Sequence, residues 1–352
     1  MKNFLKPTGL FLVLLLLFSG CSLSGGSQSS GKVGGVLKST DSGSNWELKN
    51  RVNEKTTINK VDVFNMVIDP IDTNRIYLGT RDKGVVFSKD GAENWEKMKF
   101  PGNKVYGIAI NHFKPGNIYA TGVENNRGKV YRTDNYGEDW REIYTEPANG
   151  TVVTSLALDE SNAGTVYLGT SGGVVIKTVD GGVSWRNLYI ASDAVTKILF
   201  GGGTDRHIYF MINKKNIVVS DIDGSNFRLI GAKMSDENSK MGDIYSIATS
   251  KNDSGGLYIG TDNGMFRSFD AGENLEEIEI IASSKEFPIR SIAVNPKNSQ
   301  ELIYSAAQAI YKSTNGGKNW STYQLDTGKL ISQILFDSDN VNTVYAGLRD
   351  FN

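Results

Sequence analysis

The chain of 352 residues is expected to be all-β, a seven-bladed β-propeller of four-stranded antiparallel blades closed by a 2+2 split blade from its two ends. Three observations predict this. A turn motif recurs seven times, its last residues step along the chain by 49, 45, 45, 42, 48 and 45, and four strand-like runs fall within each step. Glycine, at 39 residues, is abundant enough to supply the many tight turns such a fold needs.

In chain order, the first element is an address. Lys2 and Lys6 precede an apolar run from Leu10 to Phe18, followed by the small residues Ser19 and Gly20, so residues 1–20 read as a secretory signal. The run is too short for an ordinary spanning helix. Phe18-Ser19-Gly20-Cys21 resembles the bacterial lipobox, in which cleavage precedes a cysteine that then carries lipid. The resemblance implies that Cys21, the only cysteine, anchors the protein to a membrane of the bacterial cell envelope, facing outside the cytoplasm. Residues 21–33, rich in Ser and Gly, read as a flexible tether, and residues 34–352 as the propeller.

Within the propeller the turn motif is Ser39-Thr40-Asp41-Ser42-Gly43-Ser44-Asn45-Trp46. It returns with Asp180 and Trp185, with Asn315 and Trp320, and with Asp90 and Trp95, where Ala92 replaces a glycine. The copy from Thr133 to Trp140 reads as Asp134 followed by one extra residue before Trp140. Two weaker copies end in other apolar residues, Asp270 with Leu275 and Asp223 with Phe227. All five tryptophans fall on this ladder. An Asp side chain accepts hydrogen bonds from its own turn, Gly supplies positive φ, and Trp buries a large ring against neighbouring sheet. These acids are therefore expected to lock turns rather than to catalyse.

The motif resembles the Asp-box, or BNR repeat, of sialidases, xyloglucanases, sortilin-type receptors and photosystem II assembly factors, and the resemblance covers residues 34 to 352. Between boxes an alternating first strand (Phe64 to Ile68, Tyr106 to Ile110, Val153 to Leu158, Val195 to Phe200, Ile244 to Ala248, Ile289 to Val294, Ile331 to Phe336) leads to a second such as Arg75 to Thr80. A third, such as Gly84 to Ser88, enters the box and a fourth leaves from its Trp. The two ends supply two strands each, so they complete one blade and leave no open edge.

The 38 basic and 39 acidic residues nearly cancel. With one cysteine, this excludes a disulfide-stapled scaffold, a cysteine-based zinc site and an electrostatically driven nucleic-acid binder. His112 and His207 are the only histidines, and no carboxylates stand at ligand spacing, so neither a metal nor a cofactor is expected. The loops joining second to third strands carry a candidate basic face: Arg81, Lys83, Arg127, Lys214, Lys215 and Arg349. Guanidinium and ammonium groups gathered on one face suit carboxylates or an acidic polymer.

The expected function is a non-enzymatic, membrane-anchored and monomeric scaffold for a protein or polysaccharide partner, as the resemblance to single-ring assembly factors implies. The alternative is a sialidase-like or xyloglucanase-like glycoside hydrolase. The Phe/Tyr-Arg-Ile-Pro stretch of sialidases is absent, and xyloglucanase-like enzymes place their two carboxylates between two such rings.

Overall fold

The computed structural model describes residues 33–204, 206–230 and 241–351, and these form 28 β-strands with no helix among them. The signal segment, Cys21 and almost all of the tether lie outside the described residues, as does most of the loop from Gly231 to Asp243.

Seven four-stranded antiparallel sheets follow one another around a ring. Blade 1 is β3 (Val63–Ile68), β4 (Ile76–Thr80), β5 (Val85–Ser88) and β6 (Glu96–Lys97). Blades 2 to 6 repeat this order, their first strands being β7 (Ile108–Ile110), β11 (Val153–Leu158), β15 (Val195–Phe200), β19 (Ile244–Thr249) and β23 (Ser291–Asn295). Blade 7 takes β27 (Leu330–Phe336) and β28 (Val344–Arg349) from one end of the chain, and β1 (Gly35–Ser39) and β2 (Glu47–Leu48) from the other. β1 runs antiparallel to β28 from Gly35 opposite Leu348 to Ser39 opposite Val344, so the two ends share one ladder. Each first strand lies against that of the next blade, and β27 lies against β3.

Burial follows position in the blade. Second strands such as Ile-Tyr-Leu-Gly-Thr of β4 are buried at every residue, because blades cover them on both faces. Each of the seven blades places a tyrosine at this point (Tyr77, Tyr119, Tyr167, Tyr209, Tyr258, Tyr304 and Tyr345), none more than 2% exposed. Fourth strands such as β6 are short and exposed. The apolar clusters straddle blade boundaries; one joins Val36 and Tyr345 of blade 7 to Met66, Leu78 and Trp95 of blade 1.

The box turns lock as their chemistry requires. Asp41 Oδ1 accepts the N–H groups of Ser44 and Asn45 at 3.0 and 2.8 Å, and Asn45 Nδ2 donates to Asp41 Oδ2. Asp90 and Asp270 take the same contacts from Asn94 and Asn274, and Asp180 takes them from Val183 and Ser184. In six copies the residue after the acid's place and the one following it both have positive φ, for example Gly316 at 69° and Gly317 at 87°, and Ala92 accepts 73° where the other six copies place Gly. The terminal ring then packs on the preceding blade: Trp95 Nε1 donates to Lys49 O, Trp185 to Ile143 O and Trp320 to Glu279 O. Phe227 stacks on Tyr189 at 4.8 Å, and Leu275 packs into the core between blades 4 and 5. Trp46 Nε1 instead bonds Gly43 O within its own turn, and Trp140 packs edge-on against Phe100 of blade 1.

Two boxes differ from the sequence reading. In the copy ending at Trp140 there is no extra residue: Asn135, not Asp134, holds the acid's place, taking the Thr133 hydroxyl at 2.8 Å and the Asp139 N–H at 3.1 Å. Asp134 points away to Lys114 and Arg132, which hold its carboxyl at about 2 against the cost of burial. In the copy ending at Phe227 the acid's place falls to Ile222, which offers no acceptor side chain. The Asp223 carboxylate takes the Ser225 N–H and hydroxyl, and Asp221 takes the Asn226 amide.

Candidate functional site

The seven first strands surround a channel of about 760 Å³. Counting Val63, Val105, Val153, Val195, Ile244, Ile289 and Ile331 as position one, position three holds Asn65, Gly107, Ser155, Lys197, Ser246, Ser291 and Gln333. Six of these reach across to the next blade. Asn65 Oδ1 accepts the Ile108 N–H at 3.0 Å, Ser155 Oγ donates to Val195 O, and Ser246 Oγ donates to Ile289 O. Ser291 Oγ accepts the Ile334 N–H, and Gln333 both accepts from and donates to Met66, closing the ring. Lys197 Nζ donates to Ile247 O at 2.9 Å. Gly107 has no side chain to offer; a Cβ there would lie 2.9 Å from the Leu156 nitrogen, so close backbone approach takes the place of a bond. One register position thus stitches the ring from within.

Position two opens the mouth. In blades 1, 3, 4, 5 and 7 the ladder shifts register there, a bulge that turns the side chain toward the channel. In blades 2 and 6 the first strand starts two residues later than the sequence predicts. Tyr106 and Gly107 give their N–H groups to Thr121 Oγ1, and Arg290 gives its N–H to Ser305 O. Phe64, Tyr106, Tyr245 and Arg290 therefore line one end of the channel.

Three cations converge on these rings. Arg349 lies 4.3 Å from the Phe64 ring, which stacks on Tyr106 at 5.0 Å. Arg290 lies 4.4 Å from Phe351 and 5.1 Å from Tyr245, and Lys214 lies 4.4 Å from the same Tyr245. Among the described residues no acid stands within ion-pair distance of Lys214, Arg290 or Arg349. Burial, with Arg81 nearby, lowers the Arg349 pKa, and burial lowers that of Arg290. Both stay charged at neutral pH, since guanidinium begins so far above it.

The six sequence-predicted cations accordingly do not form one ring. Lys214 and Arg349 line the channel, whereas Arg81, Lys83, Arg127 and Lys215 do not. Arg81 is held by Asp62 at 2.8 Å and by the Asp350 carbonyl. Lys83 pairs with Asp82 and Lys215 with Asp193, and Arg127 projects from an exposed hairpin. Lys83 is neutralised by its sequence neighbour, and Arg81 and Lys215 by acids that stand just before the first strand of their own blade. Sequence reading missed Arg290, whose signal was its position two in a strand where other blades place Phe, Tyr, Thr or Ser. It also missed Lys197, at position three. Burial alone lowers the Lys197 ammonium to about 8.

The far end of the channel carries Glu160, Lys251 and His112. Burial pushes the Glu160 carboxyl up, but Lys251, hydrogen-bonded to it, outweighs this and holds it below its usual range. Glu160 is the only carboxylate lining the channel among the described residues, so no glycosidase pair assembles there. The Tyr131–Glu124 and Tyr144–Glu146 pairs belong to the outer half of blade 2, away from the arginines of the mouth. No group of three His, Cys, Asp or Glu that could hold a metal occurs among the described residues.

No family model matches the chain. Two curated relatives are fungal. The chain is 30% identical over 89 residues to an oligoxyloglucan-reducing end-specific xyloglucanase of Emericella nidulans, covering 23% of this chain and 11% of the relative. It is 23% identical over 205 residues to a probable enzyme of the same name from Neosartorya fischeri, covering 49% and 25%. The chain thus spans a quarter or less of their length. Among solved structures it resembles the GH74 xyloglucanase from Xanthomonas campestris, with a TM-score of 0.67 at 14% identity, covering 82% of this chain and 51% of that one. It also resembles YCF48 bound to D1 peptide, with a TM-score of 0.61 at 15% identity, covering 82% and 94%. At these identities the likeness shows the propeller fold.

Proposed function

We propose that the protein is a non-enzymatic binding or assembly module that holds an acidic segment of a protein partner at the cationic, aromatic mouth of its ring. The observation that carries this reading is the convergence of Lys214, Arg290 and Arg349 on Phe64, Tyr106, Tyr245 and Phe351 without acid partners among the described residues. Guanidinium groups pre-positioned against rings lose little freedom on binding a carboxylate, and the rings give apolar area beside it. That a structure of YCF48 has a peptide bound supports peptide holding by this fold. The lipobox-like Phe18–Cys21 supports a lipid anchor that places the module at the bacterial envelope, outside the cytoplasm.

The test is titration of acidic peptides against the full chain. Replacing Lys214, Arg290 and Arg349 by Gln together should weaken binding at least about tenfold and flatten its salt dependence. Replacing Lys83 and Lys215 by Gln should leave it within about twofold. Equal losses in the two variants would overturn the proposal. For the anchor, Cys21→Ser should move the protein from the membrane fraction to the soluble one.

The xyloglucanase relatives favour a second reading, hydrolysis of an extracellular glycan. Release of reducing sugar from xyloglucan oligosaccharides by the purified chain would replace the first reading with this one.

A further inference from the structure

We propose that the channel below the mouth is a proton-linked carboxylate site, in which Lys197 and a carboxylate of the acidic ligand are held together. The inference rests on the reading of the mouth as an anion site and adds where the ligand reaches and what travels with it.

The Lys197 side chain lines the lumen, and among the described residues Ile247 O is the one hydrogen-bond acceptor fixed to it. An ammonium carries three donors, so two N–H groups are left for a ligand. The other side chains at position three are committed to the neighbouring blade and bring no negative charge. Facing Lys197 from the mouth are Lys214, Arg290 and Arg349, with Tyr106 and Tyr245; facing it from the far end are His112 and the Glu160–Lys251 pair. The mouth therefore adds like charge, and the only lining carboxylate among the described residues already has a cation.

Burial favours the neutral amine and lowers Lys197 to about 8. A carboxylate arriving in the lumen reverses this, because an opposite charge within a few ångströms favours the ammonium. Binding and protonation then strengthen one another by the same factor. The sign follows: affinity is nearly constant below pH 8 and falls by up to tenfold per pH unit above it, as the ligand must draw a proton from solution.

The experiment is calorimetric titration of the full chain with N-acetylated triglutamate at pH 7 and pH 9, in buffers of different ionisation enthalpy. For a group titrating near 8, wild type should take up about 0.1 proton per ligand at pH 7 and about 0.9 at pH 9, with an affinity about tenfold lower at pH 9. Lys197→Arg, which stays charged, should bind at both pH values with no proton uptake. Lys197→Met should lose the pH dependence and retain the weaker binding of the mouth. Wild-type binding without proton uptake at pH 9 would overturn this inference and leave the mouth standing, and so would uptake that persists in Lys197→Arg. Absence of peptide binding at either pH would overturn the mouth and the inference together.

Discussion

Asn135 and Asp139 hold the two polar places of their box in exchanged order. In three copies the acid comes first and an Asn amide reaches back to it, as Asn45 does to Asp41; here the Asn135 amide reaches forward to the Asp139 carboxylate at 3.1 Å. Asn135→Asp should set two carboxylates face to face and cost about 1 kcal/mol, and the double exchange with Asp139→Asn should recover most of it. A double-mutant cycle by urea unfolding checks this. Trp95 marks the other extreme of a residue's influence, being fully buried with its indole bonded across the blade boundary. Trp95→Ala should cost about 3–5 kcal/mol in the same measurement. The box acids also carry a pH dependence. Hydrogen bonds from Asn45, first its N–H and then its amide, lower Asp41 from 3.8 to about 2. Since the folded pKa lies below the unfolded one, this stabilisation is complete above about pH 4 and is lost as pH falls toward 2. Acid unfolding followed by fluorescence should therefore start earlier in wild type than in Asp41→Asn, relative to each protein's stability at pH 7.

At the scale of elements, each first strand does two jobs with adjacent residues. The bulge gives position two to the mouth, and position three joins the next blade. Gln333 makes two such bonds across the boundary between blades 7 and 1, so Gln333→Leu should lower stability by about 1–3 kcal/mol, measured by chemical unfolding. Alternation along these strands was legible, as were the boundaries of β11, β15 and the turn motif in five of seven copies. The bulge was not, because alternation describes a regular ladder and says nothing about where a ladder slips. Third strands show a related device. The cations just before the box, Lys38, Arg132, Lys177 and Arg267, each donate to a carbonyl in the box turn of the following blade. In sequence these look like ordinary solvated charges.

At the scale of the molecule, the two ends of the chain share blade 7, and the boundary between that blade and blade 1 is tied at three depths. Gln333 bonds Met66 in the channel, Lys38 and Lys49 hold Glu93 at the rim of the boxes, and at the mouth Asp62 takes both Lys329 and Arg81. Burial alone would push the Asp62 carboxyl up; the Lys329 hydrogen bond, the Asp350 N–H and Arg81 outweigh it and lower it. Asp62→Ala would leave Lys329 buried and unpaired, and should cost about 3 kcal/mol. Asp82→Ala, which breaks only the exposed pair with Lys83, should cost under about 1 kcal/mol. Thermal unfolding of both variants decides whether the mouth doubles as the clasp of the ring.

The sequence by itself determined the all-β character, the number of blades, the turn chemistry and the pairing of the two ends, because each follows from short-range periodicity repeated seven times. The split within the candidate basic face was decided only by the tertiary structure. Loop cations such as Lys83 and Lys215 lie beside their own acids, whereas Arg290, Arg349 and Lys197 come from different blades, far apart in sequence. Their meeting depends on the curvature that brings seven first strands around one axis, and on bulges that aim particular side chains into the channel. Neither is written in local pattern, because both arise from how whole sheets pack.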